Sequence, residues 1–235
     1  MKELIKKTLK KAGFQIKRFP DGDYLRRIKI INDNHINLVL DVGANNGGYA
    51  LSMREFGYTK KIISFEPLKS AFSELKISAQ KDKNWILNNY ALGNEDTKSV
   101  INISGNSFSS SILNMLPQHL NSAPESRFIS QEEIEIKKLD TIFSSMCSPT
   151  DNVMLKIDTQ GYEKNVIDGA IESLPKIKII QLEMSIVQLY ESELMMTEMI
   201  NYLDAKGYQL FSLENGFGDS ESGQLLQVDG IFVRR

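Results

Sequence analysis

Cysteine occurs once in this 235-residue chain, at Cys147. One thiol excludes an intramolecular disulfide and any cysteine-based zinc cluster, leaving a small buried or loop side chain as its role. Histidine occurs only at His35 and His119, and neither has a second histidine at ligand spacing to suggest a metal centre. No apolar run approaches the length of a membrane span, and the N-terminus lacks the apolar core of a signal peptide, so the cytoplasm is the expected compartment. Positive charge is not in excess either: a formal net charge of −2 argues against a general nucleic-acid binder. Neither an internal repeat nor an interdomain linker is present. With 41% hydrophobic residues, the chain can bury the core of one α/β domain but is short for two.

The charge is unevenly spread. Lys2, Lys6, Lys7, Lys10, Lys11, Lys17, Arg18, Arg26, Arg27 and Lys29 face only Glu3, Asp21 and Asp23 in the opening segment. Residues 1–36 therefore read as a basic helical arm ahead of a domain spanning 37–235. Leu4, Ile5, Leu9 and Ala12 recur at roughly helical spacing among the lysines. That pattern suits a helix packed by one face on the domain, or an interfacial helix at the inner face of an anionic membrane.

The stretch from Leu38 to Gly48, Leu-Val-Leu-Asp-Val-Gly-Ala-Asn-Asn-Gly-Gly, runs from an apolar strand into a glycine-bearing turn and a helix. Glycine lacks a Cβ, so such a turn lets the backbone approach a ligand closely. Glu66 ends the next apolar run, 19 residues beyond Gly47, the separation that one helix and one returning strand produce, and its carboxylate can accept both ribose hydroxyls of a nucleotide cofactor. A dinucleotide loop needs glycine at its first, third and sixth positions. Here the third is Asn45, and Asp41 stands two residues before Gly43. A carboxylate there would repel a pyrophosphate but suits a ligand bearing an ammonium and a sulfonium, as S-adenosylmethionine does; a dinucleotide oxidoreductase is the competing enzyme reading.

Five segments in order, Leu40–Gly47, Ser64–Pro67 (Ser-Phe-Glu-Pro), Asn89–Gly93 (Asn-Tyr-Ala-Leu-Gly), the serine-rich Ser109–Leu113 and Leu155–Glu163 (Leu-Lys-Ile-Asp-Thr-Gln-Gly-Tyr-Glu), resemble the FkbM family of methyltransferases from about Asn37 onward. The resemblance implies an α/β, Rossmann-like class I methyltransferase fold: a mostly parallel seven-stranded sheet, an antiparallel last strand and helices on both faces. It also implies O-methylation of a sugar, glycan or related natural product with S-adenosylmethionine. The family often has glutamate where Gln160 stands, so a catalytic charge there does not carry over.

The remaining chain alternates strand and helix signals. Helices are expected over Gly48–Phe56, around Phe72, Leu75 and Ala79, from Gly161 to Pro175, and around Met196, Met199, Ile200 and Leu203. Those methionines read as core. Strands are expected at Lys61–Glu66, Asn84–Asn89, Asp151–Asp158 and Lys178–Glu183, with Tyr208–Leu213 and Leu226–Val233 as an antiparallel terminal pair. Lys98–Ser104 and Ile134–Leu139 read as extended segments around an irregular, polar insert at 105–131.

Ligands of open α/β sheets sit beyond the carboxyl ends of the strands. Asp41, Gly43, Ala44, Asn45 and Gly47 are therefore expected at the methionine part of the cofactor, Glu66 and Pro67 at the ribose, and Asn89, Ala91 and Leu92 at the adenine. A hydroxyl is a poor nucleophile near neutral pH and needs a base or a metal. Asp158 and Glu183 are the candidates, as bases or as joint oxygen ligands of Mg²⁺; Asp158 or Thr159 could instead cap the Gly161 helix. Lys156, in an otherwise apolar strand, would pair with Asp158 or orient the acceptor. His119 is either a base on a mobile insert or an exposed loop residue. His35 reads as a surface or loop residue, and Glu163 as a first-turn charge complementing its helix dipole. A non-catalytic scaffold with this fold is the alternative from another class.

Overall fold

The computed structural model describes residues 22–235 together with Thr8, Leu9, Lys11 and Gly13. The apolar stripe of Leu4, Ile5, Leu9 and Ala12 falls largely outside the described residues. From the N-terminal side, helix α1 (Gly22–Asp33) leads into strand β1 (Leu38–Val42), helix α2 (Gly48–Glu55), β2 (Lys61–Phe65), α3 (Lys69–Ala79), β3 (Trp85–Asn88), the short β4 (Ala91–Leu92) and β5 (Thr97–Ser104). Helix α4 (Pro117–Ser122), β6 (Phe128–Lys137), α5 (Leu139–Met146), β7 (Val153–Ile157), α6 (Glu163–Asp168), β8 (Ile177–Ser185), α7 (Met196–Asp204), β9 (Tyr208–Asn215) and β10 (Gln227–Arg234) follow.

Seven strands form one sheet in the order β3-β2-β1-β7-β8-β10-β9. Only β10 runs antiparallel, inserted between β8 and β9. Strands β1 and β7 are buried at every position, as expected of parallel strands covered on both faces. One face packs against Leu139 and Phe143 of α5, Val166 and Ile167 of α6, and Met199 and Leu203 of α7. The other packs against Ile30 and Ile31 of α1, Ala50 and Met53 of α2, and Leu75 and Ala79 of α3. The parallel register aligns Val42 with both Phe65 and Ile157, and Ile157 with Leu182, so the carboxyl ends of four strands form one rim. Among the described residues, no helix is long and apolar enough to cross a membrane.

Within the basic segment, α1 packs by one face on the domain, contributing core residues, and Arg27 is ion-paired with Glu214 of β9. Two expectations are corrected. The insert is more ordered than its composition suggests, containing α4, a 3-10 turn at Pro124–Ser126 and the start of β6. The first half of β6 is mostly exposed, so its polar residues carry no apolar alternation, and antiparallel pairing with β5 holds it. Helix α6 stops at Asp168, short of the expected Pro175, and the next residue must be glycine, since an added Cβ at Gly169 would sit 1.8 Å from the Gly93 carbonyl oxygen.

Candidate functional site

A cavity of about 280 Å³ opens at the rim between β1, β2, β7 and β8. Its first wall is made by backbone geometry. Gly43 has φ +75°, and a Cβ there would sit 1.8 Å from the Asp158 carbonyl oxygen, so no larger residue fits the crossing of the two loops. The Gly43 and Ala44 amides donate to the Phe65 carbonyl at 3.0 and 3.1 Å, tying the turn to the end of β2. Asn45, itself at positive φ, donates its amide to Glu66 Oε2 at 2.8 Å, and the Leu68 amide donates to Oε1 at 2.8 Å. Glu66 is thus held rigidly in the cavity wall. Burial pushes its carboxyl up to about 7, against the opposing pull of those two amides.

Gly43, Asn45, Glu66, Pro67, Ala91 and Leu92 all line this cavity. Asp41, Ala44, Gly47 and Asn89 do not, and each has a structural task instead. Asp41 is fully buried, accepting a hydrogen bond from Ser64 at 2.9 Å and pairing with Lys156 at 3.4 Å. Ala44 packs in the core. Gly47 has φ +91° and lies against Trp85 and Leu75, leaving no room for a Cβ. Asn89 donates to the Glu66 and Pro67 carbonyls at 2.9 and 3.0 Å, fixing the turn that carries Glu66.

The opposite wall is made by side chains. Asp158 and Glu183 come together there, joined by the amide nitrogen of Gln160, which donates to Asp158 Oδ1 at 3.0 Å and Glu183 Oε2 at 2.9 Å. The Tyr190 hydroxyl donates to Gln160 Oε1 at 2.9 Å, and Gln227 Nε2 adds a second bond to Glu183 Oε2 at 2.8 Å. Both donors fall on one oxygen, so Oε1 is the atom of Glu183 placed to take a proton. Burial, with the neighbouring Asp158 and Asp229 carboxylates, raises the Glu183 pKa well above the ordinary range.

This arrangement does not fit the Mg²⁺ site expected at Asp158 and Glu183. A hard cation needs oxygen donors, and the space between the carboxylates holds an N–H-bearing group. Among the described residues, no three His, Cys, Asp or Glu side chains cluster to hold a metal.

Lys156 is almost fully buried and lies 3.4 Å from both Asp41 and Asp158, a strut between the two walls. Burial opposes its charge, but Asp158 and Asp41 more than offset this and raise its pKa. Where Asp158 or Thr159 was the alternative cap of the Gly161 helix, Glu163 closes the turn: its Oε1 accepts from the Thr159 amide at 2.9 Å, the Thr159 hydroxyl at 3.1 Å and the Gly161 amide at 3.3 Å. Burial pushes its carboxyl up to about 7.

His119 is neither exposed nor close to its ordinary pKa. It is 3% exposed in α4, and burial lowers its pKa to about 4. His35 stays exposed in the turn before β1, and Cys147 is buried, with burial pushing its thiol up to about 12.

Sequence reasoning missed Gln227, Asp229, Tyr49 and Arg27. Asp229 is aligned with Glu183 in the sheet, and burial together with Asp158 raises its pKa to about 6. Tyr49 donates to Gln181 at 3.0 Å and lies under the Lys156 ammonium. The polar residues interrupting the apolar run Gln227-Val-Asp-Gly-Ile-Phe-Val233 were the available signal, the same one that singled out Lys156.

The methyltransferase FkbM domain model matches residues 41–210. The chain belongs to the FkbM methyltransferase family. Membership brings S-adenosylmethionine as the cofactor and sets aside the dinucleotide oxidoreductase. No curated protein matches the chain in sequence. Among solved structures it is similar to TehB from Haemophilus influenzae, with a TM-score of 0.51 and 11% identity over 97% of this chain and 65% of that one. It is also similar to precorrin-6y C5,15-methyltransferase from Geobacter metallireducens GS-15, with a TM-score of 0.45 and 13% identity over 95% of each chain. A third is 1,6-didemethyltoxoflavin-N1-methyltransferase from Burkholderia thailandensis, at 0.47 and 9% over 91% of this chain and 79% of that one. The likeness to TehB is one of fold, that of the class I methyltransferases.

Proposed function

We propose that this FkbM methyltransferase methylates a hydroxyl group of a sugar, glycan or related natural product, with Glu183 as the general base. The observation that carries the reading is the position of Glu183 Oε1. It is the oxygen left without a donor in a carboxylate whose other oxygen takes bonds from Gln160 and Gln227, on the wall facing Glu66.

When bound, the cofactor supplies an electrophilic methyl on a sulfonium centre. Glu66 would accept the ribose hydroxyls, since the amides of Asn45 and Leu68 already aim its two oxygens. Pro67, Leu68, Ala91, Leu92 and Ile112 offer an apolar slot to the adenine. Gln160 and Gln227 orient Glu183, whose Oε1 accepts the hydroxyl proton as the acceptor oxygen takes the methyl. Burial and the neighbouring carboxylates raise its pKa, which makes the ionised form a stronger proton acceptor. Asp158, bonded by Gln160 and paired with Lys156, holds that geometry. The basic arm is compatible with peripheral membrane contact in the cytoplasm, which would bring a lipid-linked glycan within reach.

Calorimetric titration with S-adenosylhomocysteine tests the cofactor half, with Glu66→Ala and NADH as controls. Micromolar binding that weakens in the variant is expected; tighter binding of NADH would overturn the assignment. The non-catalytic scaffold reading draws on Gln160, a neutral amide where the family often has glutamate. Unchanged methyl transfer in a Glu183→Gln variant would remove Glu183 as the base, and no transfer by the wild-type protein to any hydroxyl-bearing glycan would favour the scaffold.

A further inference from the structure

A second cavity of about 230 Å³ adjoins the first and shares Phe108, Gln160 and Glu183 with it. The shared lining contains the proposed base, so a hydroxyl at the junction of the two chambers would lie beside Glu183 and next to the cavity assigned to the methyl donor. His119 and Phe217 line the chamber, their rings 5.5 Å apart, and Tyr190 holds His119 edge-on at 5.2 Å. His119 is 3% exposed, and its Nδ1 is buried without a hydrogen-bond partner among the described residues. The polar floor needs no ligand: Asn106 bonds Ser104, Ser109 and Ser126, and the last two bond each other. What His119 and Phe217 present to the chamber is therefore ring surface, an apolar face for a ligand to stack on.

The lining also has a charge character. Among the described residues it contains no lysine or arginine, and its ionisable residues are Glu183, His119 and the exposed Glu125. Burial keeps His119 uncharged near neutral pH. An anion entering would lose its hydration with no cation among these residues to receive it, and an ammonium would meet Glu125 at the solvent side and Glu183, whose burial favours its neutral form.

We propose that this chamber is the acceptor site and that it takes an uncharged, hydroxyl-bearing ring while rejecting acceptors with a phosphate or carboxylate beside the reacting hydroxyl. The proposal rests on the methyl-transfer reading above. Phe217, Phe108 and the His119 ring supply apolar faces for the ring's C–H surface.

The test uses full-length protein saturated with S-adenosylhomocysteine and titrated by saturation-transfer NMR. The probes are methyl gluco-, galacto- and mannopyranosides, their uronates, their 6-phosphates and a methyl aminohexoside. At least one neutral glycoside should bind, with its uronate and phosphate weaker by about tenfold or more. Phe217→Ala and His119→Ala should each weaken the neutral glycoside about tenfold, while cofactor-product affinity stays within about twofold, which shows that the variants are folded. Glu125→Lys, at an exposed position, should narrow the gap between uronate and neutral glycoside. Equal or tighter binding of the anions, tighter binding of the aminohexoside, unchanged affinity in both ring variants, or no binding of any neutral glycoside would each overturn the proposal. Failure of S-adenosylhomocysteine itself to bind would instead overturn the methyl-transfer reading on which it rests.

Discussion

The two walls of the site are built from different materials. On the β1–β2 side the chain places main-chain amides: Asn45 and Leu68 aim Glu66, and Gly43 is fixed by the Asp158 carbonyl pressing on it. On the β7–β8–β10 side, side chains from distant segments converge, with Gln160, Tyr190 and Gln227 all bonded into the group around Glu183. A backbone-built wall tolerates little change in sequence and holds an invariant ligand. A side-chain-built wall can be rewritten residue by residue, which is where an acceptor preference would be encoded.

The largest expected effect separates these walls directly. Glu183→Gln keeps the shape of the side-chain wall but removes the proton acceptor, so turnover should fall by roughly 10²- to 10⁴-fold with S-adenosylhomocysteine affinity nearly unchanged. Single-turnover kinetics and calorimetry on the same preparation would check both halves. A comparable loss of cofactor affinity would mean that the two walls are not functionally distinct.

Lys156 is the strut that joins them. Removing its charge in Lys156→Met leaves the fully buried Asp41 carboxyl with only Ser64 as a donor, and breaking such a buried pair costs about 3–5 kcal/mol. Urea denaturation should show that loss, and it should be largely recovered in the double variant Lys156→Met/Asp41→Asn, since the stranded carboxyl is then gone. A stable single variant would show that the walls stand independently.

How far the sequence could be read follows the same division. Gly43, Asn45 and Glu66 were legible because a tight turn and a strand-ending acid leave a local pattern, and the strand order followed from the family resemblance those patterns support. The pairing of Asp41 with Lys156 and Ser64 was not legible, because an acid before a glycine turn reads the same whether it faces a ligand or a buried lysine, and the partners come from the register of neighbouring strands. His119 looked exposed because its polar neighbours hid the packing of α4 against Tyr190 and Phe217. Gln227 was invisible because its partner Glu183 is 44 positions away in sequence, and nothing local marks such a contact.

On the backbone wall alone, Glu66→Ala should weaken S-adenosylhomocysteine by about 10- to 100-fold, the worth of charge-assisted hydrogen bonds to the ribose. Turnover at saturating cofactor should change far less, because Glu183 and its partners are untouched. If saturating cofactor failed to restore turnover, Glu66 would have to be supporting the opposite wall as well.

The smallest effect comes from the proton on Glu66. Its carboxyl titrates at about 7 in the ligand-free protein because burial disfavours the charge. Ribose hydroxyls donate to the ionised form, so binding lowers that pKa and releases a proton wherever the free protein still carries one. The sign follows: affinity is flat above about pH 7 and falls as pH drops below it, by at most about tenfold per unit. Calorimetry in buffers of different ionisation enthalpy would count the released proton, and Glu66→Gln should flatten the pH profile and remove the release. An unchanged profile in that variant would move the titrating group off the backbone wall and onto the side-chain wall, where the buried Glu183 and Asp229 carboxyls titrate.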